Sequence, residues 1–149
     1  MFLRTALLAF AFATAAIPAA ISDAWADETG DVTIQLTGLS PQGQVMLQVF
    51  NSESGYGSGQ ALTARRIPIT TGTATVAFED VVPGQYAVRL FHDVNGNGEL
   101  DTNPFGIPTE PFAFSNNARG RFGPASWADA VFTVNAGDNT QTINVGGQQ

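Results

Sequence analysis

A run of oxygen-bearing side chains after the single histidine is the part of this chain best suited to chemistry. Asp93, Asn95, Asn97 and Asp101 recur around Gly98. They match the first, third, fifth and ninth positions of an EF-hand type of loop, with the glycine at the sixth. Carboxylate and amide oxygens are the ligands that Ca²⁺ prefers, so this spacing predicts a calcium-binding loop.

The pattern departs from an EF-hand at the twelfth position, where Pro104 replaces the closing glutamate. Glu99, at the seventh position, would supply its backbone carbonyl. Glu110, Asp80 or Asp129 could complete the shell if the fold brings one of them close. We therefore expect weak affinity, with a Kd of about 10⁻⁴ to 10⁻³ M as in extracellular modules. The alternative is a set of tight turns, because Asn and Asp side chains bond their own backbone.

A second group of residues offers polar groups for a ligand. The candidates are His92, Ser115, Asn116, Asn117 and Arg119. His92 with Ser115 or with a loop carboxylate would be the minimum for a small hydrolase, if the fold brings them within hydrogen-bond reach. The same polar groups could instead bond only to the protein itself, since Asn side chains often close turns. Both interpretations are open from the sequence.

The first 26 residues have the pattern of a secretory signal peptide. Arg4 provides the positive start, an apolar stretch follows, and Ala24 and Ala26 flank Trp25 in a small-x-small cleavage pattern. We expect export to the periplasm or the medium and one domain over residues 27–149. No later apolar run is long enough for a membrane span, so none is expected after cleavage.

The amino-acid composition and net charge of the chain exclude or disfavour several classes of function. The chain has no cysteine, which excludes thiol chemistry and disulfides. Its formal net charge is −7, with 13 acidic residues against 6 basic ones. That charge opposes binding to nucleic acid and favours a soluble protein, which we expect to be a monomer.

Apolar and polar residues alternate along most of the chain after Asp31, with the period of two that is typical of half-buried strands. The predicted strands begin near Val32, Gln44, Arg65, Thr73, Gln85, Asp129 and Ile143. Short Gly, Pro and Asn turns separate them. The sequence therefore predicts an all-β fold, an immunoglobulin-like or transthyretin-like antiparallel β-sandwich of about seven strands.

Two segments interrupt the alternation. Residues 51–60 are rich in Ser and Gly, with Tyr56 at the centre, and are interpreted as a flexible linker or a contact loop. Residues 93–128 are too long for a structureless loop in a compact domain. They contain five aromatic residues, so we expect one long ordered loop with its own packing.

Several longer motifs resemble those of a bacterial family of secreted proteins called domain of unknown function 2141. They are the Val82–Val88 strand entry, the acidic loop from His92, and the stretches Phe105–Glu110, Phe114–Gly120 and Phe122–Ala130. The resemblance implies an exported β-sandwich and no defined activity. The leading expectation is a binding or structural module for an unknown envelope protein or polysaccharide. A hydrolase using His92 and an envelope adhesion module that presents an exposed Tyr56 are the alternatives.

Overall fold

The computed structural model describes residues 28–147. The predicted signal peptide therefore lies outside the described residues. Eight strands follow one another: β1 (Gly30–Thr37), β2 (Gln44–Phe50), β3 (Thr63–Pro68), β4 (Ala74–Val81), β5 (Gly84–Asp93), β6 (Phe112–Phe114), β7 (Phe132–Val134) and β8 (Gly137–Asn144). Helix α1 (Glu53–Ser58) follows β2, and a 3₁₀ turn (Ser115–Asn117) and α2 (Trp127–Ala130) lie between β6 and β7.

The strands form two sheets that pack face to face. The smaller sheet has the order β4-β1-β8, and the larger has the order β3-β2-β5-β6, with β7 pairing with the start of β5. This confirms the predicted all-β sandwich. Every pairing between strands is antiparallel except that of β1 with β8, which run parallel along their whole length. The long connection between these two strands permits a parallel pairing that a tight hairpin would forbid.

The main core lies between the sheets, where the alternation places every second residue. Val45, Leu47 and Val49 of β2 and Val88 and Leu90 of β5 are buried there. The intervening residues of these strands must point to the other side of the larger sheet, because successive side chains alternate between faces. We call that side the outer face.

A second, smaller core covers one end of the outer face. Phe50 and Tyr56 pack edge to face with their ring centroids 5.2 Å apart, and Trp127 meets Tyr56 in the same way at 5.8 Å. The Tyr56 hydroxyl donates a hydrogen bond of 2.9 Å to the carbonyl of Ala125. Burial raises the pKa of Tyr56, which keeps this hydroxyl protonated as a donor.

The structure corrects three expectations about local elements. The last strand, predicted from near Ile143, is β8 and begins already at Gly137. Residues 53–58 form a helix, because Ser52 caps it by accepting a hydrogen bond from the Gly55 N–H and Gly59 ends it at a φ of 78°. Tyr56 is consequently buried rather than exposed. The strand predicted from Asp129 begins only at Phe132, since Ser126 caps the short helix α2 before it.

Within residues 28–147, no helix is long and apolar enough to cross a membrane.

Candidate functional site: an acidic loop and an apolar groove

Asp93, at the end of β5, organises the acidic loop from inside. Its side chain is completely buried. One carboxylate oxygen accepts hydrogen bonds from the backbone N–H groups of Gly96 and Asn97, at 2.7 and 3.1 Å. The other accepts from the Gly98 N–H at 2.8 Å and from the Gln44 side-chain amide at 2.6 Å. The loop therefore wraps around one carboxylate.

The same contacts set the charge of that carboxylate. Burial raises the pKa of Asp93, but the hydrogen bonds from Gln44, Gly98, Gly96 and Asn97 together outweigh burial and lower the pKa below its ordinary value of 3.8. Asp93 is thus ionised at neutral pH without a cationic side chain to neutralise it, because oriented N–H dipoles take that role.

The remaining predicted metal ligands bond to one another on the exposed side of the loop. The side-chain amides of Asn95 and Asn97 both donate to the Asp101 carboxylate, the second at 2.9 Å. Their carbonyl oxygens accept from the N–H groups of Asn97 and Glu99, at 3.0 and 2.8 Å. These contacts are the turn-forming bonds that Asn side chains make with nearby backbone.

Of the three residues considered for closing a calcium shell, one lies at the loop. Glu110 is buried, and its carboxylate accepts from the N–H groups of Val94 at 2.8 Å and Asp101 at 3.2 Å, joining the two ends of the loop. Asp80 instead meets Thr29 near the start of β1, and Asp129 accepts from Ser126 at the start of α2. Both are engaged elsewhere.

The donor chemistry of the loop fits calcium, since carboxylate and amide oxygens converge there. Most of those oxygens already accept N–H hydrogen bonds, so an ion would have to replace some of them. Among residues 28–147, no three His, Cys, Asp or Glu side chains form a metal-binding group. Amide and backbone oxygens would therefore supply much of the shell. Calcium binding stays a prediction.

His92 lies on the core side of the larger sheet. It is 1% exposed, and its Nε2 lies 2.8 Å from the carbonyl oxygen of Gln42, in the turn before β2. Ser115 is also fully buried, and its hydroxyl accepts from the Val88 N–H at 2.9 Å and donates to the Ala130 carbonyl. Because Val88 precedes His92 by four residues, the two side chains are about 13 Å apart along β5. They do not form a nucleophile and base pair.

The other predicted ligand-binding residues attach the long loop to its neighbours. The Asn116 amide donates to the Val131 carbonyl at 2.7 Å. The Asn117 side chain bridges to β8, donating to the Thr142 carbonyl and accepting from the Asn144 N–H. The tight 3₁₀ turn holds both asparagines at a positive φ, which Asn tolerates better than most residues.

Arg119 continues this anchoring at the end of the chain, where its guanidinium donates to the Gly147 carbonyl at 2.7 Å. All four residues, Ser115, Asn116, Asn117 and Arg119, make these contacts within the protein. A role in ligand binding for Ser115, Asn116, Asn117 and Arg119 remains a prediction that these contacts do not require.

The structure reveals a site that the sequence interpretation missed, on the uncovered end of the outer face. A groove of about 1060 Å³ lies there. Met46 of β2 pairs with Phe91 of β5, which pairs in turn with Phe112 of β6, so three apolar side chains form a continuous floor. Arg66 of β3 pairs with Met46 and extends this row to the edge of the sheet.

Two parts of the long loop form the walls of this groove. One wall comprises Leu100, Phe105 and Ile107, and the other comprises Gly120 and residues 122–124. Phe105 is 88% exposed, Ile107 is 58% exposed, and Phe122 is fully exposed. A contiguous apolar surface of this kind on a monomer typically marks a site of interaction.

The signal for the groove was present in the sequence but weak. Met46 and Phe91 occupy strand positions that should be polar if the outer face met only water. The wall residues are separated from the floor by as many as 78 positions in the chain, from Met46 to Pro124, so only the tertiary structure brings them together.

The fold and the site together define the class of protein in outline: a two-sheet β-sandwich with a large apolar groove on the free face of its larger sheet. A family model for an uncharacterised protein conserved in bacteria, DUF2141, matches residues 32–143. The chain belongs to this family, which confirms the resemblance seen in its motifs. No curated protein and no solved structure matches the chain.

Proposed function

We propose that this protein is a ligand-binding module and that the groove on the outer face is its binding site. The observation that carries the proposal is the continuous apolar floor of Met46, Phe91 and Phe112 beneath exposed apolar walls. Leaving such surface in water costs about 25 cal/mol per Å², so covering it with a ligand is favourable. A volume of about 1060 Å³ suits a small molecule of ordinary size.

The wall that carries Phe105 and Ile107 is held in shape before any ligand arrives. The Asn103 N–H donates to the Ile107 carbonyl at 2.9 Å, and the Asn103 side chain accepts from the N–H groups of Phe105 and Ile107. Thr102 and Pro108 form a bridge at the base of this turn. A preformed wall lowers the entropic cost of binding.

The test is binding of Nile red, an uncharged apolar dye, followed by fluorescence. The double variant Phe105→Ala, Ile107→Ala should weaken dye binding at least about tenfold, since about 1.4 kcal/mol of lost apolar contact corresponds to that factor. The matched control is Leu62→Ala, Val82→Ala, which also removes two exposed apolar side chains, but outside this groove. Equal loss in both double variants would reject the groove as the site.

Calcium in the acidic loop is a separate part of the proposal. It is supported by the spacing of Asp93, Asn95, Asn97 and Asp101, with Glu99 offering its carbonyl. At 1 mM Ca²⁺ and the Kd range expected for such loops, binding stabilises the folded state by about 0.4 to 1.4 kcal/mol. A chelator should therefore lower the melting temperature slightly. An unchanged melting temperature would remove calcium from the proposal.

We also propose that the protein is exported to the periplasm or the medium. It is supported by the pattern of residues 1–26. A secreted form whose first residue is Asp27 would agree with it, and an uncleaved chain retained in the cytoplasm would not. A hydrolase using His92 gains no support from the contacts of that side chain, and an adhesion role through Tyr56 gains none from its burial.

A further inference from the structure

The groove is charged as well as apolar, and we propose that its ligand is an anionic amphiphile, such as a long-chain carboxylate, whose head group is bound by Arg66. This inference rests on the proposed binding function and names the class of ligand. The apolar floor would hold the chain of the ligand, and the arginine would lie at the end of that floor.

Charge is distributed very unevenly around the groove. The chain has 13 acidic and 6 basic residues, yet among residues 28–147 no acidic residue lines the groove. Three arginines contribute to its lining: Arg66 and Arg89 on the outer face, and Arg65, whose guanidinium lies on the opposite side of β3. In a protein of net charge −7, a surface that carries only positive charge is complementary to an anion.

The contacts of the three arginines distinguish their roles. Arg89 is engaged with the protein, donating to Gln48 at 3.0 Å and lying over the Phe50 ring at 4.7 Å. The Arg65 guanidinium lies on the opposite side of β3 from the outer face. On that side it donates to the Thr63 hydroxyl and lies over the Phe78 ring. For Arg66, the described part of the chain provides no hydrogen bond, ion pair or ring contact. Its exposed guanidinium is the free cation of the groove.

The position of Arg66 suits an extended amphiphile. The row from Arg66 through Met46 and Phe91 to Phe112 crosses three strand spacings, which is about 14 Å. The positive charge is therefore at one end of an apolar track. The guanidinium also lies beside the acidic loop at Gly98, where a Cβ atom would come within 3.7 Å of its Nη2. A head group bound there would meet the arginine at the mouth of the groove.

The experiment compares two probes of equal chain length, dodecanoate and dodecanol, by titration calorimetry, below the micelle concentration of the carboxylate and the solubility limit of the alcohol. The carboxylate should bind at least about tenfold more tightly, because a charge-assisted hydrogen bond contributes roughly 1.4 kcal/mol or more. Arg66→Gln should remove this preference by weakening dodecanoate binding until it is no tighter than dodecanol binding. Arg65→Gln is the matched control, since it removes the same charge from the neighbouring residue on the opposite face of β3, and it should retain the preference.

The outcomes separate this inference from the proposed function. If both probes bind equally and Phe105→Ala, Ile107→Ala weakens both, the groove is the site and the anionic ligand class is wrong. An equal loss of preference in Arg65→Gln and Arg66→Gln would mean that net charge, and not a head-group contact, is responsible. If neither probe binds, both this inference and the binding of a ligand inside the groove are rejected. Binding only to vesicles of anionic lipid would reject both as well.

Discussion

The two ends of the outer face are built from the same strands and differ in what covers them. At one end, Phe50 is fully buried beneath Tyr56 and Trp127. At the other end, Met46 of β2 and Phe91 of β5 remain partly exposed at the floor of the groove. The covered end has edge-to-face ring contacts and a buried hydroxyl with its acceptor, whereas the open end has apolar walls with space between them.

Exposure at the open end does not result from a lack of loop to cover it. The same long loop packs Phe114 and Ala125 against the covered end and leaves Phe105 and Phe122 in solvent. Hydrogen bonds of Asn103 and Asn116 hold two turns of that loop in place, so the Phe105 wall is a defined feature of the fold. The covered end adds a second packed core to the one between the sheets, and the open end exposes the groove that we propose as the binding site.

The largest expected effect contrasts one residue from each end. Phe50→Ala should lower the free energy of unfolding by about 3 to 5 kcal/mol, because it leaves a cavity in a packed cluster. Met46→Ala should cost less than about 1 kcal/mol, since its side chain is already partly in water. Chemical denaturation at equilibrium measures both. Similar losses for the two variants would show that the open end is packed as tightly as the covered one.

A smaller loss of stability is expected from a substitution in the acidic loop, which adjoins the open end at Gly98. Asp93→Asn removes a buried charged acceptor of four hydrogen bonds and should lower the free energy of unfolding by about 2 to 3 kcal/mol at pH 7. Asp138→Asn, at an exposed position of β8, is the matched control and should change it little.

The pH dependence of stability gives the sign of the Asp93 contribution. Its pKa is lower in the folded state than in the unfolded chain, so its stabilisation is complete above the unfolded value of about 3.9 and is lost as the pH falls through the folded value. Asp93→Asn should reduce the loss of stability that occurs as the pH falls below about 4. An identical acid profile in the variant and the unmodified protein would contradict the ionised, hydrogen-bonded carboxylate.

Much of the fold could be predicted because strand periodicity is local. The alternation of Val45, Leu47 and Val49 identified β2 and its buried face, and similar patterns identified most other strands. Helix α1 was missed because its Ser and Gly residues favour turns, and the burial of Tyr56 stabilises a helix that propensity alone does not support. Strand β6 was missed because three residues are too few for a periodic signal.

The acidic loop was visible in the sequence, but the partners of its side chains were not. Its spacing is equally compatible with a metal shell and with turns closed by Asn and Asp. The role of Gln44 as a donor to Asp93 depends on the pairing of β2 with β5, which brings residues 49 positions apart into contact.

The all-β class, the family and the position of the acidic loop could be predicted from the sequence, because each depends on residues that are close together in the chain. The half-covered outer face, and the place of Arg66 at the end of an apolar row with no acidic residue of 28–147 lining the groove, follow only from the tertiary structure. Those features arise from strand pairing and from the path of the long loop. Both are set by contacts between distant residues, which no local pattern records.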